Sequence, residues 1–289
     1  MKYFLLLAAL FQYTLSVDVD LAVFNLSVTD RNGRPVSGLT QDNFRVLEEG
    51  TEQHIRIFQP EDSPATVGLV IDNSGSMVKK RAEVVKAANA FVAAVHPDDE
   101  VFIVNFNRRT WLGLPPSMLF TSNILQLRTA LLTIGAEGTT ALYDAVQAGL
   151  KHLEKGTRQR KALVVLSDGG DNASLATLDE ISQTAARSSA TIYAIGLYDR
   201  DERNRQPGVL RDLARSTGGR AYFPTRPVAL HEVWRDIAGD LRGQYTIAFA
   251  SSNSRHDGSF RKVKVTAVDN RGRPLEVRTR PGYTTPISN

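Results

Sequence analysis

The sequence predicts an α/β fold in which a doubly wound, Rossmann-like and mostly parallel sheet is inserted between two β segments. Over residues 63–242, short apolar runs typical of buried strands alternate with amphipathic helical patterns, which is the arrangement of a parallel sheet with helices on both faces. Residues 17–62 and 243–285 show strand patterns alone. Because neither β segment has enough strands for a stable core, we expect the two to pair into one small β-sandwich.

The strands of the parallel sheet are predicted at four apolar runs, VGLVID, EVFIVNF, KALVVLS and TIYAIGL, which begin at Val67, Glu100, Lys161 and Thr191. A short last strand is expected at Arg220–Phe223. Apolar residues at helical spacing predict the intervening and following helices at Arg81–Val95, Ile124–Leu132, Ala141–Leu153, Thr177–Ser189, Val209–Ser216 and Pro227–Leu241. Alternation and turn residues predict the flanking strands at Val17–Phe24, Phe44–Leu47, His54–Phe58, Gln244–Ala250, Phe260–Val268 and Leu275–Thr279.

The composition excludes several classes of protein. The chain of 289 residues, 42% of them hydrophobic, is long enough for one large domain or two modest ones. A net charge of +4 without clustered basic and aromatic residues gives no reason to expect a nucleic-acid partner. The absence of cysteine excludes disulfides, cysteine zinc sites, a thiol nucleophile and lipid attachment through cysteine.

Residues 1–16, MKYFLLLAALFQYTLS, have the pattern of a secretory signal peptide. One lysine precedes an apolar core, and the small residues Thr14 and Ser16 stand at suitable positions before a cleavage site. The alternative is that this stretch is a first strand that continues into Val17–Val28. The apolar run is shorter than the roughly 20 residues that span a bilayer. We therefore expect no membrane span and a protein that is secreted, periplasmic or at the cell surface.

Three separate stretches carry oxygen side chains where strands end or a helix begins. Asp72, Ser74 and Ser76 follow the first strand of the α/β region, Thr140 enters a helix, and Asp168 ends another buried strand. If the strands that carry the two aspartates are neighbours with connections in opposite directions, the crevice between them collects all five side chains. Hard oxygen ligands with limited negative charge suit Mg²⁺, and Mn²⁺ also fits.

These stretches resemble the three-part signature of the von Willebrand factor type A domain. The signature is present as D-x-S-x-S at residues 72–76, a threonine in G-T-T-A-L and an aspartate in S-D-G, and the similarity covers Thr66–Leu241. In that family these residues form the metal-ion-dependent adhesion site. The resemblance implies that Ser74 and Ser76 bind the metal directly and that Thr140 binds it directly or through water. It also implies that Asp72 and Asp168 hold coordinated waters and orient the hydroxyls.

The whole layout is similar to that of bacterial secreted proteins in which a related domain is flanked by β segments. Within the signature, Thr139 and Thr140 are adjacent and either could be the ligand; Thr140 is preferred because it directly precedes Ala-Leu-Tyr-Asp. Asp171 either adds negative charge in an outer shell of the metal or caps its loop. Asp144, one helical turn after Thr140, is interpreted as a local interaction at the helix end.

The predicted function is metal-dependent protein binding, as in cell adhesion, rather than catalysis. A metal held by neutral hydroxyls keeps most of its charge and attracts a carboxylate from a partner protein. None of the five histidines lies in the three stretches, and a phosphatase using Asp72 as nucleophile would need a second aspartate where Ser74 stands. The alternative is a structural or assembly protein of the cell envelope whose metal site only stabilises the fold. The sequence specifies neither the partner nor the oligomeric state.

Overall fold

The structure is a computed structural model that describes residues 21–93, 95–132, 137–198, 206–225 and 227–287. The expected signal peptide at residues 1–16 and the first four residues of the N-terminal β segment lie outside the described residues. The strands are β1 (Leu21–Thr29), β2 (Phe44–Glu48), β3 (Thr51–Gln53), β4 (Ile55–Gln59), β5 (Ala65–Asp72), β6 (Glu100–Phe106), β7 (Thr110–Leu112), β8 (Arg160–Ser167), β9 (Thr191–Gly196), β10 (Ala221–Tyr222), β11 (Tyr245–Ala250), β12 (Phe260–Val268), β13 (Pro274–Arg278) and β14 (Gly282–Thr284). The helices are α1 (Arg81–Val92), α2 (Ile124–Leu132), α3 (Leu142–Leu153), α4 (Leu178–Arg187), α5 (Pro207–Ser216) and α6 (Pro227–Arg242).

The α/β unit is built on a six-stranded sheet in the order β10–β9–β8–β5–β6–β7. All neighbours pair in parallel except the edge strand β7, which is antiparallel to β6. Every residue of β5 and of β9 is buried, as expected for parallel strands that are covered on both faces. The helices pack in two groups, α1 with α2 and α6, and α3 with α4 and α5. The predicted parallel sheet and its helices are therefore confirmed.

The two β segments pair with each other, as predicted, but they do not form a separate two-sheet sandwich. They form one antiparallel sheet in the order β3–β2–β12–β13–β1–β11–β4, with β14 on β12. The nine-residue strand β1 explains the continuity, since Leu21–Leu26 pair with β11 and Ser27–Thr29 pair with β13. A strand that changes partner along its length bends the sheet around its own core, which includes Phe24, Tyr245 and Phe249.

Three strands were not predicted, β3, β7 and β14, and each has three residues. A run of three residues is too short for alternation to be recognised, and these strands depend on a longer neighbour for their hydrogen bonds. Strand β7 lies in a stretch that the sequence analysis left without a regular element, and its partner β6 supplies its pairing.

The two units have separate hydrophobic cores and meet through polar groups. Arg278 of β13 forms an ion pair with Asp240 of α6 at 2.5 Å, and Tyr193 of β9 donates to the same carboxylate at 2.6 Å. Asn25 of β1 donates to the Thr191 hydroxyl at 3.4 Å. The junction therefore joins strands of the β unit to the α/β unit directly. Within the described part of the chain, no helix combines the length and apolar character needed to cross a bilayer.

Candidate metal site

The candidate site lies at the carboxyl end of β5, where Asp72 is the last residue of the strand. Its neighbour β8 ends at Ser167, whose hydroxyl donates to Asp72 Oδ2 at 2.6 Å. The other carboxylate oxygen accepts the backbone N–H of Ser74 at 2.8 Å. Asp72 is 2% exposed and Ser74 is 1% exposed. Both oxygens of the carboxylate are thus fixed by a strand neighbour and by its own loop.

The two serines of the D-x-S-x-S loop lie side by side. The Ser74 and Ser76 hydroxyl oxygens are 3.1 Å apart, with Ser74 buried and Ser76 exposed. Asn73, which lies between Asp72 and Ser74, anchors the loop on two sides. Its N–H donates to Phe106 O at 2.6 Å, and its carbonyl accepts Glu137 N–H at 2.9 Å. A pair of hydroxyls held at this separation can bind one cation from adjacent positions.

The second stretch is hydrogen-bonded to the first. Gly75 N–H donates to Gly138 O at 3.0 Å, and the φ angle of Gly138 is +76°, which an L side chain rarely adopts. Thr140 is buried whereas Thr139 is exposed. No described residue forms a hydrogen bond with the Thr140 hydroxyl, which leaves that oxygen available for a cation or its water.

The third stretch follows β8 and closes the site. Asn172 accepts the Thr140 N–H at 2.8 Å through its side chain and donates its own N–H to Thr140 O at 3.0 Å. Asp168, which follows Ser167 directly, is 6% exposed and accepts Gly170 N–H at 3.2 Å. Its charge is close enough to Asp72 to raise the pKa of that carboxyl. The structure therefore brings all three predicted stretches together.

The electrostatics of the site favour a cation. Burial raises the pKa of Asp72 from 3.8 to about 6, and the charge of Asp168 adds to the rise, although hydrogen bonds from Ser167 and Ser74 oppose it. A buried carboxylate without a positive partner is costly, and a divalent cation would supply the compensating charge. The described residues contain no group of three or more histidine, cysteine or acidic side chains that could hold a metal. The donors are hydroxyls and two carboxylates, which fit a hard divalent cation.

Comparison with known proteins agrees with this arrangement. Residues 67–170 match the sequence profile of the von Willebrand factor type A domain. The α/β unit contains a von Willebrand factor type A domain. An uncharacterised protein of Synechocystis sp. is 27% identical over 175 residues, which are 58% of this chain and 40% of the relative. The chain thus spans less than half the length of this curated relative.

Solved structures show the same fold at low sequence identity. The von Willebrand factor type A protein of Catenulispora acidiphila is 13% identical, with a TM-score of 0.55 over 95% of this chain and 76% of that one. Mussel byssus proximal thread matrix protein 1, described with a zinc-occupied MIDAS motif, is 15% identical, with a TM-score of 0.54 over 67% of this chain and 49% of that one. The corresponding domain of the type V pili tip protein Mfa5 of Porphyromonas gingivalis is 13% identical, with a TM-score of 0.51 over 61% of this chain and 94% of that one.

The structure decides how Asp171, which was left with two interpretations, and Asp144, which was interpreted as a local helix-end interaction, are hydrogen-bonded. Asp171 Oδ1 accepts Leu142 N–H at 2.8 Å and the Ser174 hydroxyl at 2.6 Å, so it caps the first turn of α3 rather than only its own loop. Asp144 accepts backbone N–H groups of Leu175 and Ala176, so it fixes the third stretch instead of interacting only within its helix.

The sequence analysis missed the residues that hold the site together. Ser167 orients Asp72, and Asn172 fixes Thr140. The carbonyl oxygen of Asn107 accepts the N–H of Ala141, the residue after Thr140, at 2.8 Å. Ser167 carried one usable signal, which is a hydroxyl residue at the end of a buried strand directly before Asp168. The two asparagines carried none, because their partners lie in other loops.

Proposed function

We propose that the von Willebrand factor type A domain binds Mg²⁺ or Mn²⁺ through Asp72, Ser74, Ser76, Thr140 and Asp168. The observation that carries the proposal is the buried Asp72 carboxylate, which lies beside two adjacent serine hydroxyls and a second acidic side chain and forms no ion pair with a described residue. The serines would bind the metal directly, Thr140 directly or through water, and the two aspartates would hold coordinated waters.

The partner is a protein that offers a carboxylate to the metal. Neutral hydroxyls leave most of the metal charge uncompensated, and an anionic side chain from outside completes the coordination with a strong, directional contact. Ser76 and Thr139 are exposed, and this supports a metal position that a partner can reach.

We propose binding rather than catalysis. A hydrolytic reaction requires a positioned base or nucleophile, and the histidines lie outside the three site stretches. His152 packs against Phe102 with ring centroids 4.3 Å apart and hydrogen-bonds Leu119 O at 2.9 Å, which is a structural role. We also propose that the protein is exported, on the basis of the signal-like pattern of residues 1–16.

The second candidate is a structural or assembly protein of the cell envelope. The hydrogen bonds that interlock the three stretches favour it, since a metal at this point would stabilise the fold without any partner. The two candidates differ in whether the bound metal accepts an outside ligand.

Isothermal titration calorimetry with Mg²⁺ and Mn²⁺ tests the metal site. We expect saturable binding in the wild type and none in Asp72→Ala or Ser74→Ala, with Ser182→Ala on α4 as a control that retains binding. Water-proton relaxation of the Mn²⁺ complex then separates the candidates. A decrease in relaxation on addition of N-acetylaspartate amide supports carboxylate binding, whereas bound Mn²⁺ with unchanged relaxation supports the structural role. A folded wild type that binds neither metal overturns both.

A further inference from the structure

A cavity of about 980 Å³ lies between the two units, at the edge of the parallel sheet opposite the candidate metal site. On the α/β side it is lined by the carboxyl ends of α3 and α4 and by the start of β8. On the β side it is lined by the start of β1, by residues of the stretch 250–258 and by the chain from Tyr283 to Ile287. Cavities at domain boundaries are preferred locations for small ligands.

A buried arginine without a carboxylate partner lines this cavity. Arg280 is 7% exposed and donates to Ser188 O at 2.9 Å and Val23 O at 2.6 Å, with its guanidinium 4.4 Å from the Phe24 ring centroid. No carboxylate of the described residues lies within ion-pair distance, and Nε has no hydrogen-bond partner among them. Burial lowers the pKa of Arg280 to about 10. A buried guanidinium is normally paired with an acidic group, and an anion in the cavity would supply the charge that the two carbonyl groups do not compensate.

The surrounding side chains make the cavity more positive. Lys161, Arg187 and Arg255 line it, whereas the acidic residue among the described lining is Glu154. Arg261 also lines the wall, but it is used structurally, because it pairs with Glu48 at 3.5 Å and donates to Asn253 O at 2.8 Å. The segment that carries Arg255 is therefore held in place by hydrogen bonds to Arg261.

The same cavity has an apolar wall. Its lining includes Leu150 and Leu153 of α3 and Tyr283 and Ile287 of the β unit. Ile287 is 72% exposed, which leaves apolar surface available to a ligand. Specific ligand sites combine such an apolar lining with a few polar groups that fix the orientation.

We propose that this cavity binds an organic anion in which a carboxylate or phosphate is joined to an apolar group. The anionic group is held by Arg280 with Arg187 and Arg255, and the apolar group contacts the α3 leucines. Guanidinium groups suit this chemistry because they form paired hydrogen bonds with planar or tetrahedral oxyanions. The site is independent of the proposed metal function.

Calorimetry on the full chain tests the proposal with phenyl phosphate, benzoate, inorganic phosphate and benzyl alcohol as probes. We expect one of the two aromatic anions to bind saturably and more tightly than inorganic phosphate and benzyl alcohol, and the identity of that probe distinguishes phosphate from carboxylate. Asp72→Ala is expected to retain this binding, so that failure of the metal site leaves the result unaffected. Absence of saturable binding by every probe overturns the proposal.

Variants of exposed residues show whether the probes bind in this cavity. They leave buried Arg280 unchanged, because a substitution there could prevent folding. Arg187→Gln combined with Arg255→Gln is expected to weaken binding about tenfold through loss of charge-assisted hydrogen bonds. Arg271→Gln, in an exposed turn outside the cavity, is the matched control and is expected to bind as the wild type does. Equal affinity in the double variant overturns the proposal.

Discussion

Asp72 makes the stability of the metal-free protein depend on pH. Burial holds its pKa at about 6 in the folded state, above the usual 3.8. The folded protein therefore binds more protons than the unfolded chain between about pH 4 and about pH 6, so stability falls as pH rises through that window. A divalent cation offsets the ionised carboxylate. We expect Mg²⁺ to raise Tm more at about pH 7.5 than at about pH 5, as measured by differential scanning calorimetry.

The control for this prediction is Asp72→Asn, which removes the charge and keeps the shape of the side chain. Without metal at about pH 7.5, this variant is expected to melt at or above the wild-type temperature, because no buried charge remains to be compensated. Its Tm is expected to be insensitive to Mg²⁺. A Mg²⁺ effect of equal size at both pH values, or one retained in the variant, contradicts the prediction.

Ser167 is expected to act on the metal through Asp72. Its hydroxyl donates to Asp72 Oδ2 and accepts the N–H of Gly169 at 3.1 Å, so it fixes the orientation of the carboxylate. Loss of such an outer hydrogen bond weakens metal affinity about tenfold in comparable sites. Ser167→Ala should therefore raise the Kd for Mn²⁺ by about this factor in calorimetry, whereas Ser182→Ala should not. An unchanged Kd in Ser167→Ala would show that Asp72 needs no such support.

The five candidate ligands could be predicted from the sequence because each stands next to a recognisable element boundary. Asp72 ends a buried strand, Asp168 directly follows another, and Thr140 lies two residues before the first residue of α3. The supporting residues could not be predicted in the same way. The hydrogen bond between Asn172 and Thr140 depends on how two loops meet at the edge of the sheet. The periodic pattern of a single chain segment does not indicate which loops come together.

At the scale of elements, the first turn of α3 depends on an acceptor from another loop. Ala141 at the helix N-cap offers no side-chain hydrogen bond, and Asp171 accepts the N–H of Leu142 instead. Asp171→Asn keeps an acceptor but loses the favourable charge at the helix N-terminus, so we expect a loss of about 0.5–1 kcal/mol. Asp171→Ala loses the cap as well, and we expect a loss of about 1–2 kcal/mol. Urea denaturation measures both.

The same pair of variants decides between the two interpretations of Asp171. If its role is to cap the helix, Asp171→Asn retains most of the metal affinity while the free energy of unfolding decreases. If its role is to supply charge to the metal, Asp171→Asn weakens Mg²⁺ binding as strongly as Asp171→Ala, with unchanged stability. Its hydrogen bond to the helix backbone favours the first result.

Elements could be predicted where the pattern is long, and their assembly could be predicted only in part. The apolar run before Asp72 and the helical spacing of Leu142–Leu153 gave element type and bounds close to those observed. The joining of the β strands into one sheet could not be foreseen. It results from β1 and β12, which pair with different strands along their lengths, whereas alternation identifies only the buried face of a strand.

At the scale of the whole molecule, Arg160 holds the two chain connections between the units. It is fully buried and donates to Pro60 O and Ser63 O on the connection from β4 to β5, at 3.0 and 3.1 Å. It also donates to Leu241 O and Gln244 O, where α6 leads into β11, at 3.3 and 2.5 Å. Because the two hydrophobic cores are separate, the four hydrogen bonds of Arg160 to these carbonyl groups add to the ion pair and hydrogen bonds that join the units elsewhere.

We therefore expect Arg160→Lys to destabilise the protein and to uncouple its units. A lysine ammonium is a compact group that cannot reproduce the planar arrangement of donors, so several buried carbonyls lose their partner. The expected loss is roughly 3 kcal/mol, and scanning calorimetry should show two transitions in the variant and one in the wild type. Arg158→Lys, two residues earlier, where the side chain donates to Asp98 O, is the matched control and should keep a single transition. A single transition at the wild-type temperature in Arg160→Lys would mean that the remaining ion pairs of the junction couple the units without this residue.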